Sequence, residues 1–151
     1  MNFQSGINRP PYETADGYLQ ITEGCSHNRC LFCTYFKNRK FKKTSIEEIE
    51  TDIKEIPQNF GAPKRIFLQG ADAFAADYDI LMKTAELIHK YVPSVQSIGG
   101  YARIDNFYDK SEEQLRILNK YELYSHKIDH YSYNFDLNSF ISDRYSFIFQ
   151  R

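Results

Sequence analysis

The sequence predicts an α/β domain in which about three strand–helix units build a parallel sheet. Three short apolar runs, at 17–22, 65–70 and 94–102, alternate with stretches whose apolar residues recur at helical spacing. Strands and helices in this order form parallel sheets with right-handed crossovers, either in a doubly wound sheet or in part of a βα barrel. The 151 residues, with net charge −1 and 42% hydrophobic residues, suit one domain of ordinary size.

The first unit consists of the strand GYLQIT (17–22) and a helix predicted over 45–56. Ser45 and Glu48 have the spacing of a capping box, which marks the N-terminus of a helix. Pro57 lacks a backbone N–H, so we expect it to end this helix. The apolar residues of the helix share one face: Ile46, Ile49, Ile53 and Ile56.

The second and third units repeat this pattern. RIFLQG (65–70) is the second predicted strand, and Asp77 is the expected N-cap of a helix that runs up to Pro93. SVQSIGGYA (94–102) is the third strand, and a capping box precedes the third helix at Ser111 and Gln114. The apolar residues at helical spacing are Ile80, Leu81, Thr84, Leu87, Ile88 and Tyr91 in the second helix and Leu115, Ile117 and Leu118 in the third.

Function is expected at the edge where the strands end. In both architectures the loops that follow parallel strands emerge at the C-terminal rim of the sheet. That rim would gather the loops at 25–33, 69–72 and 99–103, which are far apart in the sequence. The glycines of these loops also suit turn geometry alone.

The segment EGCSHNRCLFC (23–33) contains all three cysteines of the chain, Cys25, Cys30 and Cys33. Three thiols this close together cannot pair completely as disulfides, and a metal suits them better. Thiolates select zinc or iron–sulfur clusters. His27 would complete a tetrahedral zinc site, whereas a cubane iron–sulfur cluster on three cysteines leaves one iron open to another ligand.

The pattern Cys25-x4-Cys30-x2-Cys33 follows the first strand, and Phe32 stands just before its last cysteine. In these features it resembles the signature of the radical S-adenosylmethionine (radical SAM) superfamily. The first spacing is one residue longer than the commonest form of that signature. The resemblance implies that the predicted units are part of a TIM-like (β/α) barrel, about three βα units of a radical SAM core.

A longer stretch narrows the resemblance. Residues 9–37, RPPYETADGYLQITEGCSHNRCLFCTYFK, are similar to the radical SAM group related to oxygen-independent coproporphyrinogen oxidases and methylthiotransferases, apart from one additional residue at Thr14. In that group a Pro-Pro segment leads into a loop of the same kind. The resemblance extends over residues 9–123, about half of a radical SAM core.

The resemblance implies a [4Fe-4S] cluster with Cys25, Cys30 and Cys33 on three of its irons and SAM on the fourth. One electron from the cluster would cleave SAM to methionine and a 5′-deoxyadenosyl radical, which abstracts a hydrogen atom from the substrate. An electron donor such as flavodoxin or ferredoxin would reduce the cluster. The substrate, small or macromolecular, does not follow from the resemblance.

Four further residues are expected to contact SAM. Phe32 stands where the family has an aromatic residue near the adenine. QGADA (69–73) stands where the family has a Gly-Gly-Glu-like turn that binds the SAM amino group, and Gly70 and Asp72 are what remains of that turn. Arg103 ends the third strand, and its planar guanidinium suits a carboxylate of SAM or of the substrate; a surface ion pair is its alternative role.

A second class of function, a zinc-binding module that contacts nucleic acid, fits some of the same residues. Cys25, His27, Cys30 and Cys33 would bind zinc. The basic residues that follow would contact phosphates, or would be a solvated surface: Lys37, Arg39, Lys40, Lys42 and Lys43.

The chain divides into an N-terminal extension (1–16), a partial radical SAM core (17–123) and a tail (124–151) with no recognisable pattern. The tail has neither Gly nor Pro and follows neither the helical nor the strand period, as expected of a truncated or frameshifted segment. We expect it to form a tail of low order or an improvised helix or strand, and not to supply the missing strands of the barrel. The N-terminus lacks the apolar run of a signal peptide, and no stretch is apolar enough to span a membrane. The protein is therefore predicted to be cytoplasmic.

Overall fold

The computed structural model describes residues 9, 11, 13, 15–37, 39–121 and 123–127, which form three strand–helix units and a fourth strand. Short 3-10 turns follow two of the strands, at Ala73–Ala75 and Ile104–Phe107. The strands are β1 (Gly17–Gln20), β2 (Thr22–Glu23), β3 (Lys42–Lys43), β4 (Arg65–Gln69), β5 (Ser97–Ala102) and β6 (Leu123–Lys127), and the helices are α1 (Ile46–Phe60), α2 (Tyr78–Tyr91) and α3 (Glu112–Lys120).

Four strands form one parallel sheet in the order β1, β4, β5, β6. The order in the sheet is the order in the chain, and the helices lie beside one another, α1 against α2 and α2 against α3. A doubly wound sheet reverses its strand order at a switch point, with helices on both faces. The described strands show no such reversal, so the sheet is singly wound and the α/β prediction is confirmed in this form.

The hydrophobic core lies between the helices and one face of the sheet. Because side chains alternate along a strand, Leu19, Ile66 and Ile98 fall on the same face, and all three are fully buried. The helix residues that meet them are ones predicted from helical spacing: Ile49, Ile53, Ile56, Leu81, Leu87, Ile88, Leu115 and Leu118. Both predicted capping boxes are present, at Ser45 and Ser111.

Helix α1 does not end at Pro57, and the prediction that it would is wrong. The helix continues to Phe60, and the backbone N–H of Gly61 donates to the carbonyl of Pro57 at 3.0 Å. Proline removes one backbone donor, the one that would reach the carbonyl of Ile53, and Pro57 itself is on the exposed side of the helix, where its ring does not enter the core. Phe60 packs edge-to-face on Tyr18 with ring centroids 5.8 Å apart, which stabilises the last turn.

The sheet also continues beyond the three predicted strands. Leu123–Lys127 form β6, which pairs with β5 from Ile98 opposite Leu123 to Ala102 opposite Lys127. The expectation that 124–151 does not supply the missing strands is therefore wrong for the first residues of that segment. The rest of the predicted tail, 128–151, lies outside the described residues.

At the N-terminal end of the sheet, Arg65 joins the segment before β1 to two strands. Its Nε lies 2.6 Å from Oε1 of Glu13, and its Nη1 donates to Oγ of Ser97 at 2.8 Å. Gly99 was predicted in a rim loop, but it lies within β5 opposite Phe67. It leaves room for Arg65, because a Cβ there would stand 2.5 Å from Nη2 of the guanidinium. Among the described residues, no helix is long and apolar enough to cross a lipid bilayer.

Candidate functional site

The three cysteines lie in the loop of a β-hairpin at the C-terminal end of β1. Strands β2 and β3 pair antiparallel, with Thr22 opposite Lys43 and Glu23 opposite Lys42. Farther along the loop, Asn28 has a left-handed backbone (φ 45°), and its amide donates to the carbonyl of Arg39 at 3.1 Å. We call residues 22–43 the cysteine hairpin. The basic stretch after the cysteines thus includes a strand, β3.

Cys25, Cys30 and Cys33 are half-buried, and none of them forms a disulfide. Three thiols on one loop are a donor set that suits an iron–sulfur cluster or zinc. In the part of the chain that the structure describes, no group of three or more Cys, His, Asp or Glu side chains is arranged to hold a metal ion. By their chemistry, the three thiols nevertheless suit an iron–sulfur cluster or zinc.

Asp72 connects the cysteine hairpin to the rim of the sheet. Its side chain is fully buried, and one carboxylate oxygen accepts a hydrogen bond from Oγ of Ser26, next to Cys25. The other oxygen accepts from the side-chain amide of Asn106, in the loop after β5. The backbone carbonyl of Asp72 accepts from Oγ1 of Thr22 at 3.1 Å. One residue therefore links the loops that follow three strands.

The environment of the Asp72 carboxyl has opposing effects on its ionisation. Burial is the largest influence and raises the pKa above its ordinary value, because a buried charge loses its hydration. Hydrogen bonds from Ser26 and from the backbone of Arg103 act in the other direction, as do the positive charges of Arg103 and Lys110. The carboxyl is thus held by donors that the protein supplies in place of water.

Lys110 is a buried cation beside this cluster. Its Nζ donates to the carbonyl of Phe74 at 3.2 Å, to the carbonyl of Asn106 at 2.9 Å and to Oδ1 of Asp109 at 2.9 Å. These three acceptors use the three protons of the ammonium group. Lys110 thereby holds the turn after β4 against the turn after β5, where Asn106 meets Asp72.

Gly70 lies directly after β4 with φ +114°, a conformation that side chains disfavour. A Cβ at this position would lie 2.6 Å from Oγ1 of Thr22 and 2.7 Å from its carbonyl oxygen. The ends of β1 and β4 therefore approach each other as closely as they do because residue 70 is glycine. This contact also brings Thr22 within reach of Asp72.

The other residues predicted to contact SAM are more exposed to solvent than Gly70 and Asp72. The side chain of Phe32 is 74% exposed, so it is not a core residue in this structure. Arg103 forms an ion pair with the exposed carboxylate of Asp105, two residues farther along the chain. A ligand carboxylate at Arg103 would share or displace this partner. Half-buried His27 lies in the same loop as the cysteines.

The prediction that three loops meet at this rim is confirmed, since Asp72 accepts hydrogen bonds from Ser26 in the first loop and from the backbone of Arg103 in the third. The contribution of Asn106 and Lys110 was missed. Polar residues in a loop leave no periodic signal, and the partners of Asp72 are 46 and 34 residues away in the chain. In the sequence, Ser26 is one of the residues between Cys25 and Cys30, and nothing there indicates that it contacts Asp72.

Alanine in place of Ser26 should loosen the cysteine hairpin from the rim without unfolding the sheet. A hydrogen bond to a charged group contributes about 1.5–3 kcal/mol, so local opening of the loop should become roughly 10- to 150-fold more frequent. Trypsin cleavage after Arg29 or Lys37, measured by mass spectrometry on the native apo protein, should speed up accordingly.

The matched control is Ser94→Ala, which removes the 2.8 Å hydrogen bond from Ser94 Oγ to the carbonyl of Pro63 at the other end of the sheet. It should leave cleavage in the hairpin unchanged. Equal cleavage rates in the Ser26→Ala variant and the wild type would contradict the anchoring role of Asp72.

One model of a known protein family matches most of the chain. The model of the radical SAM superfamily matches residues 19–146. The match begins in β1, includes the cysteine hairpin, all three helices and β6, and continues past Leu123 into residues outside the described part. No curated protein and no solved structure gives a significant match. Because the family match covers well over half of the sequence, the chain belongs to the radical SAM superfamily of enzymes.

Proposed function

We propose that this protein binds a [4Fe-4S] cluster through Cys25, Cys30 and Cys33 and reductively cleaves SAM bound at the fourth iron. The observation that carries the proposal is the position of three free thiols on one hairpin at the C-terminal rim of a parallel sheet. The chain belongs to a superfamily whose members generally bind a [4Fe-4S] cluster and SAM. Three cysteines leave one iron without a protein thiolate, which is where SAM would bind.

When bound, the cluster and SAM supply a 5′-deoxyadenosyl radical, which abstracts a hydrogen atom from a substrate that the site does not identify. The residues of the chain bind and orient these groups. Phe32 offers an exposed aromatic face next to Cys33, which suits contact with the adenine. Arg103 offers its guanidinium to a carboxylate, and the backbone at Gly70 offers polar groups to the amino group of SAM.

We assign Asp72 a positioning role rather than direct contact with SAM. Both of its carboxylate oxygens already accept hydrogen bonds, from Ser26 and from Asn106. Because the side chain is fully buried, contact with the SAM amino group would also require the surrounding loops to move apart. By holding Ser26, Asp72 fixes the start of the loop at Cys25.

The sheet is proposed to be part of a TIM-like barrel. Each crossover adds the next strand to the same edge of the sheet, with helices side by side on one face, as in a βα barrel. The segment 9–37 supports placement near the coproporphyrinogen oxidase and methylthiotransferase group. Superfamily members typically take their electron from a reductant protein, and flavodoxin or ferredoxin would serve here.

Anaerobic reconstitution with iron and sulfide should give a brown protein with about four iron atoms and four sulfides per chain. After reduction with dithionite, its electron paramagnetic resonance (EPR) spectrum should show a [4Fe-4S]⁺ signal. Addition of SAM should change this signal, because SAM coordinates the open iron. Methionine and 5′-deoxyadenosine, measured by mass spectrometry, report cleavage.

Two outcomes would count against the proposal. A colourless protein with one zinc per chain would favour the module formed by Cys25, His27, Cys30 and Cys33. A [4Fe-4S]⁺ spectrum that is unchanged at saturating SAM would mean that the cluster forms without the SAM site.

A further inference from the structure

The cysteine hairpin and its flanks are a strongly positive segment of an otherwise acidic protein. From residue 24 to residue 46 the sequence contains no Asp or Glu, but it contains six basic residues: Arg29, Lys37, Arg39, Lys40, Lys42 and Lys43. The net charge of the whole chain is −1, so subtracting these six positive charges leaves −7 for the remaining residues. The charge of this protein is therefore concentrated beside the cysteines.

Most of these charges are at the surface. Arg29, Lys37, Lys40 and Lys42 are exposed, and Lys43 is paired with Asp77 at 2.7 Å. A solvated helix face usually mixes both signs, because opposite charges on neighbouring turns stabilise it. Here the single sign extends over residues 24–46, nearly the whole hairpin, which creates a local positive potential able to steer an acidic molecule.

Exposed apolar side chains lie within the same hairpin. The described residues include four large hydrophobic side chains that are exposed, and three of them are here, namely Leu31, Phe32 and Tyr35. Leu31 is 96% exposed, between Cys30 and Phe32. Because Phe32 is assigned to the adenine, the apolar part of the surface is formed by Leu31 and Tyr35, and apolar and charged side chains on one exposed segment are the usual composition of a protein-binding surface. The aliphatic side chain of Leu31 suits a protein better than nucleic acid, which binds to aromatic and cationic groups.

We propose that the exposed face of the cysteine hairpin is the docking surface for an acidic one-electron carrier protein. This inference rests on the proposed function, in which the cysteines bind a redox group. A carrier on this face would sit beside the loop that holds the iron. The carrier loses one electron and the iron–sulfur group gains it, with no bond formed or broken and no proton transferred.

The physics of such complexes matches this surface. Electron-transfer encounters bury little area, below about 1,200 Å², and they depend on electrostatic steering for their speed. The small apolar part of the hairpin accounts for the small buried area, and its cationic residues supply the electrostatic steering. The steering should weaken as salt is added, because the Debye length falls from about 10 Å at 0.1 M to about 3 Å at 1 M.

The test compares two charge reversals of equal size in the full-length reconstituted protein. Lys37→Glu/Lys40→Glu changes the hairpin outside its strand pairing. Lys64→Glu/Lys90→Glu makes the same change in net charge at the other end of the sheet, before β4 and in the last turn of α2. Stopped-flow absorbance follows oxidation of reduced flavodoxin by each protein, at several salt concentrations.

We expect the hairpin variant to slow reduction by flavodoxin about 10- to 100-fold at low salt, since steering of this kind changes association rates by 10–10³. The control variant should stay within about twofold of the wild type, since its charges lie away from the docking surface. Both should give the wild-type EPR signal with dithionite, a small reagent that needs no docking surface. High salt should bring the rates of the variant and the wild type together.

One result would overturn the inference while the cluster and SAM cleavage with dithionite remain intact, namely an unchanged flavodoxin rate in Lys37→Glu/Lys40→Glu. If that variant had at the same time lost binding to a mixed-sequence 20-nucleotide RNA, the surface would be assigned to nucleic acid. Absence of any cluster in the wild type is a different result, because it refutes the proposed function itself.

Discussion

Alanine in place of Cys25, Cys30 or Cys33 should abolish stable binding of iron by the reconstituted protein. Each thiolate is proposed to bind one iron, and the chain has no fourth cysteine to replace a lost ligand. Each variant should retain less than about a tenth of the wild-type iron after gel filtration, because a second open iron exposes the cluster to solvent and chelators. Iron and acid-labile sulfide are measured by colorimetric assay.

His27→Ala is the matched control. His27 lies in the same loop and is half-buried like the cysteines, but it is not one of the proposed ligands of the cluster. This variant should keep its iron and its visible absorption. Loss of metal from His27→Ala as complete as from Cys30→Ala, with zinc in the wild type, would instead identify a Cys3His zinc site.

A further measurement separates loss of a ligand from loss of the fold. The cysteines are outside the hydrophobic core, so the apo forms of the three variants should unfold within about 0.5 kcal/mol of the apo wild type, as surface substitutions usually do. Thermal unfolding followed by circular dichroism measures this. If all three variants were clearly less stable than the wild type, misfolding would explain the loss of iron. The loss would then no longer support the cluster.

The helices could be predicted from the sequence because each one carries its own signals. Ser45 and Ser111 open α1 and α3 as capping boxes, and the apolar residues recur at the period of the helix. The end of α1 could not be predicted in the same way. Whether Pro57 stops the helix depends on the packing of Phe60 against Tyr18, a contact between residues 42 positions apart.

Strand β6 carries no signal of that kind. Its five residues, LYSHK, include one aliphatic side chain, Leu123, which is buried. The strand forms because β5 offers an edge of unpaired backbone groups, and pairing with it satisfies those groups whatever the side chains are. A prediction based on hydrophobic pattern therefore ended the sheet one strand too early.

The location of the site could be predicted, but its internal contacts could not. Parallel strands bring their C-terminal loops together, and this alone placed the cysteine loop near Asp72. The sequence predicted Asp72 as a ligand to SAM because an acidic residue stands at that place in the family turn. Its burial, and its bonds to Ser26 and Asn106, depend on how three loops pack.

Gly70→Ala should destabilise the protein far more than the same change at Gly61. Both glycines have a positive φ, +114° and +71°, and a side chain in such a conformation costs about 1–3 kcal/mol. At Gly61 a Cβ would have no atom within 4 Å, so that cost is all that is expected. At Gly70 the Cβ would lie 2.6 Å from Oγ1 of Thr22, which adds about 1–3 kcal/mol for the overlap.

The comparison isolates the close approach of β1 and β4, since the two variants share the chemistry of the substitution and differ in what surrounds it. Urea unfolding of the apo proteins gives both free energies, and equal values would contradict the steric account. Because Thr22 also donates to the backbone of Asp72, its displacement should pull the cysteine hairpin from the rim. Gly70→Ala should therefore lower iron retention as well as stability, whereas Gly61→Ala, in the loop after α1, should lower stability alone.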